Sequence, residues 1–263
     1  MRTAVSVITV VRNDVAGLEQ TAASVLAQDL PGLDFVVIDG SDTDETSRLH
    51  DSLIAKGANL SCGPDKGIYD AMTKGVALAK GDYLVFMNAG DFFADGSTLS
   101  TMVEQISSRN AQWGYCRAQI EKQGSKWRAP VGIVPYSVFR HAYLRAAICH
   151  QSVMMRRDFF LRLGGFKPKY GLQADVGLLL AAGRESSPVV VPIIGVRYDA
   201  AGASSEHLGR ALRNKSLIRK DVLQLTRLGA ALDYLFTSLQ VIYVLGRRCF
   251  APMKRLFRRK LVN

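Results

Sequence analysis

At 263 residues and 48% hydrophobic content, the chain is long enough to bury a full α/β core and too apolar to be a disordered segment. Its net charge of +11 is unevenly placed: residues 210–263 hold 13 Lys and Arg against Asp221 and Asp233 alone, whereas 1–209 hold 21 of each sign. The chain therefore divides into a neutral unit, 1–209, and a basic tail, 210–263, and a uniformly basic nucleic-acid-binding body is excluded.

The first run, AVSVITVVRN, is β-branched and apolar throughout, as a strand buried on both faces should be. VAGLEQTAASVLAQ follows with helical spacing at Leu18, Ala22, Val25 and Leu26. LDFVVIDGSDTDET repeats the plan: Phe35 to Ile38 form a strand, Asp39 ends it, and Ser41 to Thr46 supply turn and cap residues before another helix. A third cycle reads GIYDAMTKGVALAKG as helix, closed by Gly81, and YLVFMN as strand. Strands alternating with helices predict a mostly parallel, doubly wound sheet.

Ligands bind such sheets beyond the carboxyl ends of the strands. Asp39 and Asp91 both stand at that edge, and Asp65 and Asp70 lie between them in sequence, so together they predict a polar pocket. Competing chemistries lack their motifs. No G-x-G-x-x-G follows the first strand, and neither G-x-x-x-x-G-K-[ST] nor G-x-S-x-G occurs. Cys149 and His150 are sequence neighbours, a poor geometry for a nucleophile and its base. Cys62, Cys116, Cys149 and Cys249 form no C-x-x-C pair, so neither a disulfide framework nor structural zinc is indicated. With no signal-type segment ahead of the first strand-like run, a reducing cytosol is the expected compartment.

Six ordered segments carry a family resemblance: VSVITVVRN, TAASVLAQ, FVVIDGSDTDET, PDKGIYDAMTKG, GDYLVFMNAGD and CHQSVMMRRDFFLRLGGFKPKYGLQAD. Over roughly residues 4–205 the chain resembles the family 2 glycosyltransferases, inverting enzymes of the GT-A type, and within them those that build bacterial cell-surface polysaccharides or glycolipids. The resemblance implies a Rossmann-like, mostly parallel α/β sheet flanked by helices. It implies transfer of a sugar from a nucleotide-diphospho-sugar to a hydroxyl of a glycan or glycolipid, with Mn2+ or Mg2+ as cofactor.

By the same resemblance Asp91 supports the metal and Asp175, after Gly164-Gly165-Phe166, is the general base. Asp39 contacts the nucleoside, and Val10, Arg12, Asp65, Asp70 and Asn88 lie on the donor side. His150 and Gln151 line the acceptor or sugar pocket. Three departures stand out. The family commonly has a second acid where this chain has Gly90, Asn where it has Thr73, and Glu-Asp where it has Ala174-Asp175. A sugar nucleotidyltransferase shares a similar sheet but requires a Gly-rich phosphate loop that VVRNDVAG does not supply.

The tail continues the argument from residues alone. In LDYLFTSLQVIYVLGRR, Leu232, Leu235, Phe236, Leu239, Ile242, Tyr243 and Gly246 follow helical spacing, with Asp233, Thr237 and Gln240 on the opposite side. The apolar run is too short and too polar to span a bilayer, and MKRLFRRK adds cations after Pro252. A helix lying on an anionic membrane surface is expected, with the enzyme peripheral on the inner face of the plasma membrane beside a lipid-linked acceptor, and with no nucleic-acid partner.

Overall fold

The computed structural model describes residues 4–121, 130–144, 148–199 and 208–242. The amino-terminal half is the expected β-α alternation. Strand β1 (Val5–Val11) is buried along its whole length: Val5, Val7 and Val11 enter the core on one face of the sheet, Ile8 and Val10 that on the other. Helix α1 (Val15–Leu26) is capped by Asp14, whose Oδ1 accepts from Gly17 N at 2.9 Å. It buries Leu18, Ala22 and Val25, whereas Leu26 is part-exposed at the helix end.

Strand β2 (Asp34–Asp39) ends at Asp39 as the sequence predicts. The helix expected next is shorter than its pattern suggests, a 3-10 turn at Ser47–Leu49 followed by α2 (His50–Ala55), and Thr46 makes no side-chain cap. Strand β3 (Asn59–Cys62), helix α3 (Ile68–Leu78) and strand β4 (Tyr83–Phe86) complete this half. α3 lies tight on β1: a Cβ on Gly75 would come within 2.3 Å of Ile8 Cγ2, so only glycine fits that crossing.

The second half adds β5 (Phe92–Phe93), α4 (Thr98–Ser107), β6 (Trp113–Glu121), α5 (Val138–Tyr143), β7 (Val153–Arg156), α6 (Arg157–Arg162), α7 (Ala174–Glu185), β8 (Val189–Asp199) and α8 (Leu208–Val222). A last helix runs over 227–242. Eight strands form one sheet in the order β3-β2-β1-β4-β7-β6-β8-β5. The β3-β2-β1-β4 block and the β6-β8 pair are parallel; β7 runs antiparallel between β4 and β6, and β5 antiparallel to β8. This is a mixed sheet with most pairings parallel, and a hydrophobic layer covers each face.

Because β1, β2, β3 and β4 are parallel neighbours, their carboxyl ends deliver Arg12, Asp39, Cys62 and Asn88 to one edge. Beneath that edge Phe86, Phe160 and Phe166 stack on one another, and Tyr69 of α3 packs on Phe166 at 4.8 Å.

Candidate active site

The tip after β4 is rigid because backbone and a buried hydroxyl tie it down. Ala89 N donates to the Val10 carbonyl at 3.1 Å and Asp91 N to the Asn88 carbonyl at 3.0 Å. Thr21 of α1, fully buried, donates its hydroxyl to the Asp91 carbonyl at 2.7 Å and accepts from Gly90 N at 3.0 Å. Gly90 sits at φ +89°, a region L side chains rarely adopt. The residue that replaces the family's second acid is thus the one this backbone demands. Val10 itself is a core residue, and its carbonyl is used to hold the tip.

Asp91 is 8% exposed, and its Oδ2 accepts from Gln151 Nε2 at 2.5 Å. The other end of that amide, Gln151 Oε1, accepts from the Cys149 thiol at 2.8 Å. Burial pushes the Cys149 thiol well above its ordinary pKa, and the Asp91 charge adds to this, which removes it as a nucleophile. Asn88 Nδ2 donates to His150 Nε2 at 3.3 Å, while Asn88 Oδ1 is buried without a partner.

On the far side of the same histidine, His150 Nδ1 lies 3.4 Å from Asp175 Oδ2. Asp175 is in the first turn of α7, and Tyr69 OH donates to its Oδ1 at 2.9 Å. Burial raises the Asp175 carboxyl, but the bonds from His150 and Tyr69 outweigh burial and hold it below the usual carboxylate value. Tyr69, desolvated and facing that charge, is raised far above the ordinary phenol range and stays a donor. Asn88, His150, Asp175 and Tyr69 therefore form one hydrogen-bonded chain from the tip after β4 to α7 and α3.

At the other end of the edge, Asp39 is 3% exposed. Its Oδ1 accepts from Ser41 N at 2.8 Å and its Oδ2 lies 2.8 Å from His50 Nε2. Burial raises this carboxyl too, and the hydrogen bonds from Ser41, Thr46 and His50 bring it below its ordinary value. Asp65 lies over the next residue, where a Cβ on Gly40 would meet Asp65 Oδ2 at 2.0 Å, and its Oδ1 accepts from Gly67 N. Arg12 is exposed and pairs with Asp42 at 3.4 Å.

The structure thus brings Asn88, Asp91, His150, Gln151 and Asp175 together and sets Asp39, Asp65 and Arg12 along the same edge. Asp70 is engaged by its own amino-terminal loop and helix turn. Its Oδ2 accepts from Lys66 N and pairs with Lys74 one helical turn on, because adjacent helix residues point about 100° apart and Tyr69 takes the direction facing the site. Tyr69 was legible in principle: Tyr69, Met72 and Val76 follow at i, i+3 and i+7. His50 and Thr21 carry no such mark.

The donor set fits a hard divalent cation. Asp91 offers a carboxylate and Asn88 Oδ1 is a buried oxygen lacking a hydrogen-bond partner, while no group of three or more His, Cys, Asp or Glu gathers for a metal among the described residues. One carboxylate and an amide oxygen suit Mg2+ or Mn2+ completed by phosphate and water, and do not suit an all-protein cage.

A mixed α/β sheet with a carboxylate tip at the end of β4 and a clamped carboxylate at the start of α7 is the arrangement expected of a GT-A type fold. Residues 6–164 match the glycosyl transferase family 2 model, and the chain belongs to that family. It is 27% identical over 257 residues to an uncharacterized glycosyltransferase of Mycobacterium tuberculosis, covering 96% of this chain and 94% of that one. It is also 27% identical over 174 residues to a PGL/p-HBAD biosynthesis glycosyltransferase of Mycobacterium bovis, covering 65% and 66%.

Among solved structures, S. aureus TarS (residues 1–349, in complex with UDP-GlcNAc) superposes with a TM-score of 0.66 at 14% identity, over 89% of this chain and 70% of that one. The chain spans 42% of a longer TarS chain. A mannosyltransferase of Pyrobaculum calidifontis in complex with GDP-Man and Mn2+ gives 0.64 at 14% identity, over 97% and 81%. At such identities these two likenesses speak for the fold.

Proposed function

We propose that this glycosyltransferase moves a hexosyl unit, with inversion, from a nucleotide-diphospho-sugar to a hydroxyl of a lipid-linked glycan or glycolipid in the bacterial cell envelope. The observation that carries the reading is Asp175, a carboxylate kept ionised by Tyr69 and His150 and linked through His150 to the tip that holds Asn88. Direct displacement requires one such base. The acceptor O–H proton passes to Asp175, the acceptor oxygen bonds to the anomeric carbon, and the bond from that carbon to the diphosphate oxygen breaks. A carboxylate has about four lone-pair sites, so the donors from His150, Tyr69 and the Val176 backbone leave one for the acceptor hydroxyl.

Asp91, with Asn88 Oδ1, would hold Mg2+ or Mn2+ in this reading, and such an ion would supply charge neutralisation for a departing diphosphate. Asp39, Asp65 and Arg12 serve the nucleoside and diphosphate end. Residues 1–209 form the catalytic unit, and the cationic excess of 210–263 supports an anionic membrane partner on the cytoplasmic face. Among the described residues no helix is long and apolar enough to cross a membrane, in keeping with a peripheral attachment.

Thermal shift with UDP-, GDP- and dTDP-sugars, with and without manganese, tests the donor side. One nucleotide class should raise the melting temperature of the wild type in a manganese-dependent way, and Asp91→Ala should retain its fold and lose the manganese dependence. If no nucleotide-sugar shifts the wild type in the presence of manganese, the reading fails.

A further inference from the structure

Helix 227–242 turns its polar side inward. Asp233 and Thr237, one turn apart, are each 4% exposed and close around Arg219 of α8. Arg219 Nη2 donates to Asp233 Oδ2 at 3.1 Å and to Thr237 Oγ1 at 2.6 Å, its Nε pairs with Asp233 Oδ1, and Ser216 donates to Asp233 Oδ2. The same guanidinium reaches the catalytic unit: Nη1 donates to the carbonyl of Ala142 in α5 at 3.2 Å, and the group lies 5.1 Å over the Tyr143 ring. A buried, fully engaged arginine so placed joins three helices and allows helix 227–242 one orientation.

The opposite side of that helix is an apolar stripe. Leu228, Leu232, Leu235, Leu239 and Ile242 recur at i, i+4, i+7, i+11 and i+14, and each is between 57% and 71% exposed. The stripe extends onto the catalytic unit. Phe236 meets Tyr143 at 6.0 Å and Tyr143 meets Phe139 at 5.2 Å, with Phe139 and Leu144 open to solvent. Contiguous apolar surface of this kind marks a docking face.

Resting on the membrane reading above, we infer that α5 and helix 227–242 form one lipid-facing surface, so that the catalytic unit's own Phe139 and Leu144 enter an anionic bilayer beside the Leu stripe. Charge selects the occupant. The 13 cations of residues 210–263 against two acids oppose pairing with a second copy of the same tail and favour an anionic lipid surface. The site lies close by: α5 packs against α7, whose first turn carries Asp175. A lipid-linked acceptor held in that bilayer is thereby presented to the side of the site where the base stands.

Flotation of the full chain with phosphatidylcholine vesicles containing about one third phosphatidylglycerol tests this. The wild type should float, and Phe139→Glu/Leu144→Glu should lose about tenfold or more in partitioning at unchanged salt, as should Leu235→Glu/Leu239→Glu, with circular dichroism and melting temperature like the wild type. If the α5 variant floats as the wild type does, the composite surface is overturned while membrane attachment through the tail stands. If the wild type does not float, both fall. If light scattering shows a wild-type dimer that the Leu variant splits, with no flotation, a second copy covers the stripe and the inference is overturned.

Discussion

In the proposed reading Asp175 is the general base, and its surroundings set its pH behaviour. Its carboxyl is held below the usual value, so its ionised form persists down through about pH 4 and contributes no acidic limb to the rate between about pH 5 and 8. Asp175→Asn should keep nucleotide-sugar affinity by calorimetry and lower transfer by about 100-fold or more. Tyr69→Phe removes one of the three donors that stabilise the charged form, so the acidic limb of its rate profile should move toward higher pH. Gly90 makes a second case at this scale. Restoring an acid there with Gly90→Asp forces a side chain onto φ +89°, and a Cβ would stand 3.8 Å from the Asp14 carboxylate. We expect a stability loss of about 1–2 kcal/mol in urea melts and no gain in manganese affinity.

Among the elements, α8 buries Ile218 and Val222 in the hydrophobic core, whereas helix 227–242 is joined to α8 and α5 through a buried polar contact. Arg219 and Asp233 are 3% and 2% exposed in their side chains, which makes the pair expensive to break from one side and cheap to replace from both. Arg219→Ala leaves the Asp233 carboxylate buried without its cation and should cost about 3–5 kcal/mol, visible as early proteolysis within 208–242. Arg219→Met combined with Asp233→Leu should restore most of that loss. A double variant no more resistant to protease than the single one would show that the lock lies elsewhere.

For the whole molecule, acid stability offers a measurable consequence of burying His141. Burial, aided by Lys215 and opposed by Asp175, lowers its pKa to about 4. The folded state therefore binds fewer protons here than the unfolded chain between about pH 6.5 and 4. This contribution is complete above the unfolded pKa and is lost as pH falls through the folded one, about 3 kcal/mol at most. Melting temperature followed from pH 7 down to about pH 4 should fall less steeply in His141→Gln than in the wild type. Equal slopes would assign the acid sensitivity to other groups.

Much of this protein is legible along the chain. Alternating β-branched runs and helical periods establish the β1-α1-β2 and α3-β4 order, since burial on both faces demands apolar strands and one-sided burial demands amphipathic helices. Parallel order then carries Asp39 and Asn88 to one edge, and the charge count alone places the cationic excess in residues 210–263. Tertiary structure alone decided which side chains meet. Tyr69 and Asp175 are 106 residues apart, and although Tyr69 shares an inward helical face with Met72 and Val76, nothing local says that this face meets Asp175. His50 owes its place beside Asp39 to a short helix whose start the turn residues left open. The last helix carries the same lesson. Periodicity assigns Leu235 and Asp233 to opposite faces, but which face turns inward depends on partners, and a buried guanidinium on α8 demanded the acid and left the leucines outside.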